Sequence, residues 1–439
     1  MQETTTVSVK KPGIFYGWVV VAVSFVTLAF GYGMRYSFPV FFVAMLDEFG
    51  WTRASTALAF SLHMVSYGFS SPLTGALLDR FGPRVVLSLG AAFLAVGVAS
   101  LSLMQEQWHF LILYGVVVGI GVNLVGSIPH SIVLAGWFVR QRGLALGMGL
   151  AGAGVGMLLV TPAAQYIITA ANWRVAYLII ASVIFVVVVP VTALFQRRRP
   201  EDMGLLPDGV GGGAPTAEAR RQQDALIVDR AWAATDWTLG KALRTYRLKI
   251  LFFNSLLSGI GLNLVLSHQL AHWVDVGYDR LFAAAVVGSL GILMTLGRAM
   301  GGAVSDRIGR EVANNFSVGA QIVGIFLMMM ARDASQSWML YAAVWLFGWG
   351  YGAEAPVNAS VTADLFYGRG FGIIRGVSSV GYGIGGFIGP WLGGYIFDTT
   401  GSYTWAFLLT MATATASCIT IWIISPRKVR LVAGRAPKH

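Results

Sequence analysis

One loop signature occurs twice in this chain: Gly75-Ala-Leu-Leu-Asp79-Arg80-Phe-Gly82-Pro-Arg84 returns as Gly302-Ala-Val-Ser-Asp306-Arg307-Ile-Gly309-Arg310. The two copies lie 227 residues apart, measured between their first glycines. Each copy follows one long apolar run and precedes another, so each is predicted to be a short charged loop between two membrane helices. A chain that duplicates such a loop is predicted to contain two related helical bundles, a construction typical of membrane transporters.

Composition places the chain in a membrane. Of its 439 residues, 56% are hydrophobic and 12% are charged, and the mean hydropathy is +0.67. These values exclude an ordinary soluble domain. A helix needs about 20 apolar residues to cross about 30 Å of hydrocarbon, and the apolar runs are too long for barrel strands. They predict an all-α membrane protein with twelve transmembrane helices, at residues 16–44, 54–78, 85–104, 108–136, 143–170, 173–195, 248–272, 281–304, 311–331, 336–364, 370–396 and 403–425.

Basic residues are distributed unevenly, and they give a formal net charge of +11. If the helices alternate in direction from a cytoplasmic N-terminus, all but six of the 31 Lys and Arg residues fall in cytoplasmic loops and tails. This positive-inside pattern predicts an integral protein of the plasma (inner) membrane with both termini in the cytoplasm. It explains the charge without a nucleic-acid partner. The exceptions are four residues in outer loops and two within predicted helices: Arg53, Arg174, Arg280, Arg332, Arg35 and Arg298.

The longest break between apolar runs spans residues 197–247 and contains the string Gly209-Val-Gly-Gly-Gly-Ala-Pro. Its glycines favour a flexible linker. The chain is therefore predicted to have an N-terminal six-helix bundle at 1–196, a central cytoplasmic linker at 197–247, and a C-terminal six-helix bundle with a short cytoplasmic tail at 248–439.

Several strings resemble the major facilitator superfamily and, within it, the bacterial monocarboxylate-transporter-like branch. The repeated loop carries the resemblance to the superfamily. Three further strings carry the resemblance to the branch: Tyr16-Gly17-Trp18, Trp137-Phe138-Val-Arg140-Gln-Arg142-Gly143 and Pro200-Glu-Asp-Met-Gly204. The resemblance implies two pseudo-symmetric six-helix bundles around a central cavity that opens alternately to each side of the membrane. It also implies transport of small carboxylates, often with a proton. We therefore predict a carrier of a small organic monocarboxylate, such as lactate or pyruvate, that is coupled to a proton by symport.

Arg298 is the leading candidate for binding a substrate. It lies eight residues before Asp306, which places it about 12 Å into the membrane. A charged side chain at that depth costs about 2.5–3.5 kcal/mol on insertion scales, so it is expected to face an anion. A guanidinium can donate two parallel hydrogen bonds to a carboxylate. The resemblance implies the same role, because Gly297-Arg298 matches the eighth-helix arginine that binds substrate in the family. A structural ion pair is the alternative.

A second arginine, Arg35, lies in the outer half of the first predicted helix. It is either a second anion-binding group or outer gate, or a side chain that extends outwards to water. Other polar residues lie on helices that line the cavity in the resembling fold, and they are candidates for substrate binding or for hydrogen bonds between helices. These are Tyr32, Asn123, Asn263, Asn358 and Tyr382.

Proton coupling is assigned to Glu354 and His268. Glu354 is the only carboxylate deep within a predicted helix, and a buried acid is a natural proton carrier. We expect it to pair with Arg298 in the empty protein and to take a proton when a substrate carboxylate displaces it. His268 is included because imidazole titrates near neutral pH. The related family often has an aspartate one turn before the eighth-helix arginine, where this chain has Met294.

The charged residues of the two repeated loops predict a cytoplasmic gate. We expect Asp79 and Asp306 to bridge to basic residues of neighbouring loops and helix ends, which would stabilise the outward-facing state. The predicted gating residues are Asp79, Arg80, Arg84, Asp306, Arg307 and Arg310.

Two other functions stay open. Export of amphipathic compounds is favoured by the 14 Trp, 15 Tyr and 26 Phe residues. A membrane sensor would bind a carboxylate through Arg298 and signal through the linker without transport. An enzyme is disfavoured, because no paired-carboxylate, Ser-His-Asp or metal-binding motif is visible. We predict no cofactor and no metal. The expected partners are a small organic anion, a proton and the lipid bilayer, and the expected functional unit is a monomer.

Overall fold

The computed structural model describes residues 15–138, 142–205, 226–366 and 371–432. The side chain of Asp79 lies outside this description. We number the long helices in chain order. They are α1 Tyr16–Phe49, α2 53–81, α3 83–101, α4 Gln107–Trp137, α5 Arg142–Ala170, α6 Trp173–Phe195, α7 Tyr246–Val276, α8 Arg280–Ile308, α9 Arg310–Met330, α10 Ser337–Leu365, α11 Phe371–Thr400 and α12 Thr404–Ile424.

These helices confirm the predicted all-α fold with twelve transmembrane helices. Within the described ranges, nine of them are long and apolar enough to cross a membrane by length and composition. The remaining three, α2, α10 and α11, are long but carry more polar residues. Two of these three, α2 and α11, lie against each other between the two halves of the chain. Their polarity is therefore explained by contacts with protein instead of lipid.

The two repeated loops have the same backbone geometry. Gly82 has φ 76° and ψ 161°, and Gly309 has φ 100° and ψ 152°. Residues other than glycine rarely adopt such positive φ values, so each glycine allows one helix to end and the next to begin at once. The glycines are 227 positions apart, as are the loops. The internal repeat therefore holds at the level of backbone conformation.

The first helix bends in the middle, between the segments Tyr16–Tyr36 and Phe38–Phe49. Pro39 has no N–H to donate to the carbonyl of Arg35, four residues earlier. The hydroxyl of Tyr114, on α4, donates to that carbonyl instead, at 3.3 Å. Arg35 therefore lies in the last turn of the segment Tyr16–Tyr36, at the break in the helix.

Two six-helix bundles result from this arrangement. In the N-terminal bundle α1 packs on α5 and α2 packs on α4, and in the C-terminal bundle α7 packs on α11 and α8 packs on α10. The equivalence of these pairs confirms the predicted pseudo-symmetry. The bundles meet through α2 with α11 and through α5 with α8.

Among the described residues, the ion pairs that join the two bundles lie at one end. A Cβ added at Gly154 of α5 would overlap the Gly291 carbonyl and the Thr295 hydroxyl of α8. At the other end of α2 and α11, a Cβ added at Gly75 or Gly376 would have no described heavy atom within 4 Å. The close end bears the few outer basic residues, and the separated end bears the basic loops. We call the latter end cytoplasmic, following the predicted charge pattern, and we call a conformation that is closed at the other end inward-facing.

The described part of the linker is attached to the C-terminal bundle. Ile227 forms an antiparallel bridge with Arg430 of the C-terminal tail. The indole N–H of Trp232 donates to the Leu365 carbonyl at the end of α10, at 2.6 Å. The Gly-rich string predicted to be flexible lies outside the described residues.

Candidate substrate site

Arg35 is buried without a carboxylate partner among the described residues. Its Nη2 donates to the thioether sulfur of Met64 on α2, at 3.2 Å, and its Nε has no partner there. Its guanidinium carbon lies 5.1–5.8 Å from the ring centroids of Tyr32, Tyr36 and Tyr67. These cation–π contacts stabilise the charge without neutralising it.

Arg298 has a similar environment on the opposite bundle. Its Nη2 donates to the sulfur of Met294, one turn earlier on α8, at 3.5 Å. The hydroxyl of Tyr36 lies beside the same guanidinium and reaches Met294 at 4.0 Å. Sulfur is a weak hydrogen-bond acceptor. Both arginines therefore keep most of their capacity to bind an anion.

The two arginines face one cluster of tyrosines. Tyr36 contacts Arg35 through its ring and Arg298 through its hydroxyl. Tyr351 of α10 acts electrostatically on both arginines. We call this group the central site. It consists of Arg35, Arg298, Met64, Met294 and the rings of Tyr32, Tyr36, Tyr67 and Tyr351. It joins α1 and α2 of one bundle to α8 and α10 of the other, and so lies at the bundle interface.

Two more of the predicted substrate residues border the central site. Tyr382 of α11 interacts with both Tyr351 and Asn263. Asn263 donates to the Gly259 carbonyl at 2.9 Å, while its side-chain oxygen is fully buried and has no partner among the described residues. That unpaired oxygen is available to a donor on a substrate.

Tyr32 connects the central site to its own bundle. Its hydroxyl hydrogen-bonds with Tyr67 at 2.9 Å and donates to Ser127 at 3.1 Å. Sequence reasoning included Tyr32 but not Tyr36, Tyr67, Tyr351 or Met64. A period of three to four residues along α1 would have indicated Tyr36, because Tyr32 and Tyr36 are four residues apart.

Asn123 lies within the N-terminal bundle and is fully buried. Its amide donates to the Tyr67 carbonyl at 2.9 Å and to the Ser71 hydroxyl at 2.8 Å, and its oxygen accepts from Thr74. All its hydrogen bonds join α4 to α2. The structure thus places this residue in an interhelical contact, the alternative left open by the sequence.

Glu354 is buried inside the C-terminal bundle, away from Arg298. One carboxylate oxygen accepts from Ser258 at 2.7 Å and from Asn358 at 3.2 Å, and the other accepts from Gln321 at 2.8 Å. A narrow cavity lies beside it, lined by α7, α9, α10 and α12. The expected ion pair of Glu354 with Arg298 is therefore wrong for this conformation, because two donors on other helices and one on its own helix satisfy the carboxylate.

His268 is also separate from the central site. Its Nε2 donates to the Pro390 carbonyl at 2.7 Å, and its Nδ1 lies 3.0 Å from the Tyr403 hydroxyl. Both nitrogens are thus bonded within the C-terminal bundle. Through Tyr403, His268 is linked to the outer contact between the bundles.

That outer contact is centred on Arg53, at the start of α2. Its guanidinium donates to both oxygens of Asp275, at the end of α7, at 2.7 and 2.8 Å, and to the Tyr403 hydroxyl at 2.7 Å. It also stacks on Phe397, 3.7 Å from the ring centroid. Asp398 accepts from two backbone N–H groups at the start of α2, at 3.0 and 2.8 Å.

A second ion pair joins the bundles at the same end, between Arg280 at the start of α8 and Asp47 at the end of α1. The two pairs are related by the internal repeat: Arg280 follows Arg53 by 227 positions, and Asp275 follows Asp47 by 228. Each bundle therefore offers an equivalent arginine to the other bundle's equivalent aspartate. We call these two pairs the outer gate. Sequence reasoning missed it, although the repeat spacing would have indicated it.

The predicted gating residues of the cytoplasmic loops make contacts within each bundle. Arg310 bonds Asp306 at 2.6 Å and Asp364 of α10 at 2.9 Å. Arg84 donates to the Ala193 carbonyl on α6, and Arg80 lies over the neighbouring ring of Phe81. Arg307 lies in the last turn of α8. Their predicted role in the outward-facing state stays a prediction.

A sequence model of the Major Facilitator Superfamily matches residues 23–374 and 316–438 of this chain. The chain belongs to that superfamily. The match confirms the resemblance noted from the repeated loop, and it makes the protein a membrane transporter and not an enzyme.

Proteins with similar sequences are also transporters. Monocarboxylate transporter 13 of Rattus norvegicus is 29% identical over 406 residues, with 91% of this chain and 87% of that protein covered. The oxalate:formate antiporter of Oxalobacter formigenes is 25% identical over 411 residues, covering 91% and 89%. An uncharacterized transporter of the superfamily from Bacillus subtilis, YcxA, is 23% identical, covering 88% and 90%.

Among solved structures, the fold is similar to a bacterial homologue of the human lysosomal transporter Spinster, in its inward-facing, unoccupied conformation. The TM-score is 0.65 at 14% identity, and the alignment covers 97% of this transporter and 98% of that chain. At this identity the likeness supports the fold alone.

Proposed function

We propose that the transporter carries a small organic monocarboxylate, of the lactate or pyruvate type, across the plasma (inner) membrane by alternating access. The observation that carries the proposal is the pair of arginines at the bundle interface, Arg35 buried and Arg298 half-buried, neither of which has a carboxylate partner among the described residues. An unpaired charge at this depth is costly, so its retention favours a role in binding an anion. The names of the similar monocarboxylate transporters support the same substrate class.

In this proposal Arg298 binds the substrate carboxylate, and Arg35 contributes from the other bundle. Because the site combines residues of both bundles, a substrate held there would be released when the bundles rock apart at either end. Tyr32, Tyr382, Asn263 and Asn358 remain proposed contacts. Asn358 is the weakest of them, since its amide donates to Glu354.

The proton is a separate part of the proposal. Glu354 and His268 are its proposed carriers, but neither contacts the arginines in this conformation, so what supports them is their burial as titratable groups. If Glu354 carries the proton, Glu354→Gln should abolish stimulation by a pH gradient and retain exchange of carboxylates. Unchanged pH dependence would remove Glu354 from the proposal.

The experiment that tests the proposal is uptake of labelled lactate, pyruvate and other small carboxylates into proteoliposomes with an inside-alkaline pH gradient. Arg298→Ala should lower uptake at least about tenfold, because it removes charge-assisted hydrogen bonds to the substrate. Arg332→Ala is the matched control, since Arg332 lies in an outer loop and is exposed. If neither Arg298→Ala nor Arg332→Ala changed the rate of uptake, the proposal would be contradicted. Binding without uptake would indicate a sensor.

Orientation and assembly complete the proposal. The distribution of basic residues supports a cytoplasmic position for both termini, and a monomer is proposed as the functional unit because one chain supplies both bundles and the whole central site.

A further inference from the structure

The narrow cavity beside Glu354 is a second polar site, separate from the central site. It lies inside the C-terminal bundle, enclosed by α7, α9, α10 and α12. It has room for about one water-sized particle. We call it the Glu354 chamber. Each polar side chain that lines it bears an oxygen, and these side chains are Ser258, Gln321, Glu354, Thr410, Thr413 and Ser417.

The hydrogen bonds in the chamber all run towards the carboxylate of Glu354. Ser258 donates its hydroxyl proton to Glu354 at 2.7 Å, and the hydroxyl of Ser417 lies 3.4 Å from that of Ser258. Because Ser258 has given its only proton to Glu354, Ser417 is the donor between the two hydroxyls. Asn254 in turn donates to Ser417, and Gln321 donates to the second carboxylate oxygen, each at 2.8 Å. This arrangement suits an ionised carboxylate, which only accepts.

An ionised carboxylate at this position needs a positive charge. Glu354 is buried, and a buried charge without a partner is costly. The described side chains that line the chamber include no basic group. Glu354 also forms no ion pair with a described residue. Its charge is therefore best balanced by a cation from solution.

The free lone pairs in the chamber suit a small, hard cation. Thr410 and Thr413 donate to backbone carbonyls of their own helix, at 2.9 and 3.0 Å, so both of their oxygens remain available as acceptors. Ser258 and Ser417 each keep one lone pair after the hydrogen bonds described above. These four hydroxyl oxygens and the carboxylate are the ligand type that hard cations prefer. One carboxylate balances one positive charge, which favours a monovalent cation.

We infer that the Glu354 chamber is a Na⁺ site, and that Na⁺ bound there promotes binding of the carboxylate substrate. Ser258 shares α7 with Asn263, and Glu354 follows Tyr351 by three residues on α10. A cation held between α7 and α10 therefore orders the two helices that bring Asn263 and Tyr351 to the central site. The Na⁺ site is independent of the proposed function, whereas its coupling to a carboxylate rests on that function. Na⁺ and the proton proposed for Glu354 are alternative partners of one carboxylate.

The first experiment measures Na⁺ binding without transport. The full chain is melted in detergent at fixed pH and ionic strength, with choline chloride replaced stepwise by NaCl. We expect Na⁺ to raise the melting temperature saturably, by about 2–4 °C. Because K⁺ is larger, KCl should raise it less. Glu354→Gln should abolish the rise.

A pair of threonine variants on α12 tests the chamber itself. Thr413→Val removes one oxygen from the chamber, so the half-saturating Na⁺ concentration should increase about three- to tenfold. Thr415→Val is the matched control, since Thr415 is exposed and likewise donates to a carbonyl of its own helix. Its half-saturating concentration should equal that of the wild type.

The second experiment measures coupling. Initial uptake of labelled lactate and pyruvate into proteoliposomes is compared in external NaCl and external choline chloride. Voltage is clamped with potassium and valinomycin, and pH with a protonophore. We expect Na⁺ to lower the KM for the carboxylate at least about fivefold in the wild type, and to leave it unchanged in Glu354→Gln.

A wild-type melting temperature that does not respond to Na⁺, or an equal rise in Glu354→Gln, would overturn the Na⁺ site. If Glu354→Gln does not fold, equal half-saturating concentrations in Thr413→Val and Thr415→Val would overturn it. A rise in melting temperature combined with a KM indifferent to Na⁺ would overturn the coupling. If Na⁺ binds but no carboxylate enters the vesicles, the site stands and the proposed function is overturned.

Discussion

Arg53 and Asp275 form a two-point ion pair, with N–O distances of 2.7 and 2.8 Å, across the outer ends of the two bundles. Arg53 belongs to the N-terminal bundle and Asp275 to the C-terminal bundle, so the pair exists only while the bundles are in contact at this end. Its symmetry-related counterpart, Arg280 with Asp47, has the same dependence. The outer gate therefore stabilises the inward-facing conformation specifically.

Reversal of one charge in the gate should open the outer end. In a Cys418→Ser background, Met64→Cys reports access to the central site through its reaction with a membrane-impermeant thiol reagent added outside. We expect Arg53→Asp to raise the labelling rate about two- to tenfold, the range suited to a partly exposed ion pair. Arg53→Asp combined with Asp275→Arg should restore the slow rate. Equal labelling in the single and double variants would contradict this role.

Close packing of α5 on α8 should be equally necessary for outer closure. Gly154→Ala places a methyl group against the Gly291 carbonyl, and overpacking of this kind costs about 1–3 kcal/mol. The expected result is faster labelling of Met64→Cys from outside. Gly147→Ala, on the same helix, is the matched control, because a Cβ there has no described neighbour within 4 Å. Its labelling should not rise.

Tyr403 should connect the gate to His268. Burial and the negative charges of Asp275 and Asp398 raise the pKa of Tyr403, so its hydroxyl stays protonated at ordinary pH. It can thus accept from Arg53 while it donates to His268. Tyr403→Phe removes both bonds and should lower the free energy of unfolding by about 1–3 kcal/mol. A thermal melt in detergent would measure this, and an unchanged melting temperature would count against the link.

Asn123 should matter for stability and not for substrate binding. Asn123→Ala removes the hydrogen bonds with Tyr67, Ser71 and Thr74 that join α4 to α2, with an expected loss of about 1–3 kcal/mol in the free energy of unfolding. The KM for the transported carboxylate should stay within about twofold, since the side chain is buried between α2 and α4. A clear increase in KM with unchanged stability would instead indicate that Asn123 contacts the substrate.

The candidate site was only partly predictable from the sequence. Arg35 and Arg298 were found because a charge within an apolar run is costly wherever it occurs, and this holds without knowledge of its neighbours. The pairing of Glu354 could not be found in this way. Gln321 lies 33 positions before Glu354 and Ser258 lies 96 positions before it, so the three meet only through helix packing.

The sequence by itself determined the number of helices and the internal repeat, and it predicted which helix ends face the cytoplasm. These follow from local quantities: the length of apolar runs, the placement of basic residues and the spacing of glycines such as Gly82 and Gly309. Tertiary structure decided which polar groups meet. It brought Tyr36 and Tyr351 between the two arginines, enclosed Glu354 within one bundle and joined Arg53 to Asp275. The physical reason is that a charge is fixed to its helix by the sequence, whereas its partner is chosen by how helices distant in the chain pack together.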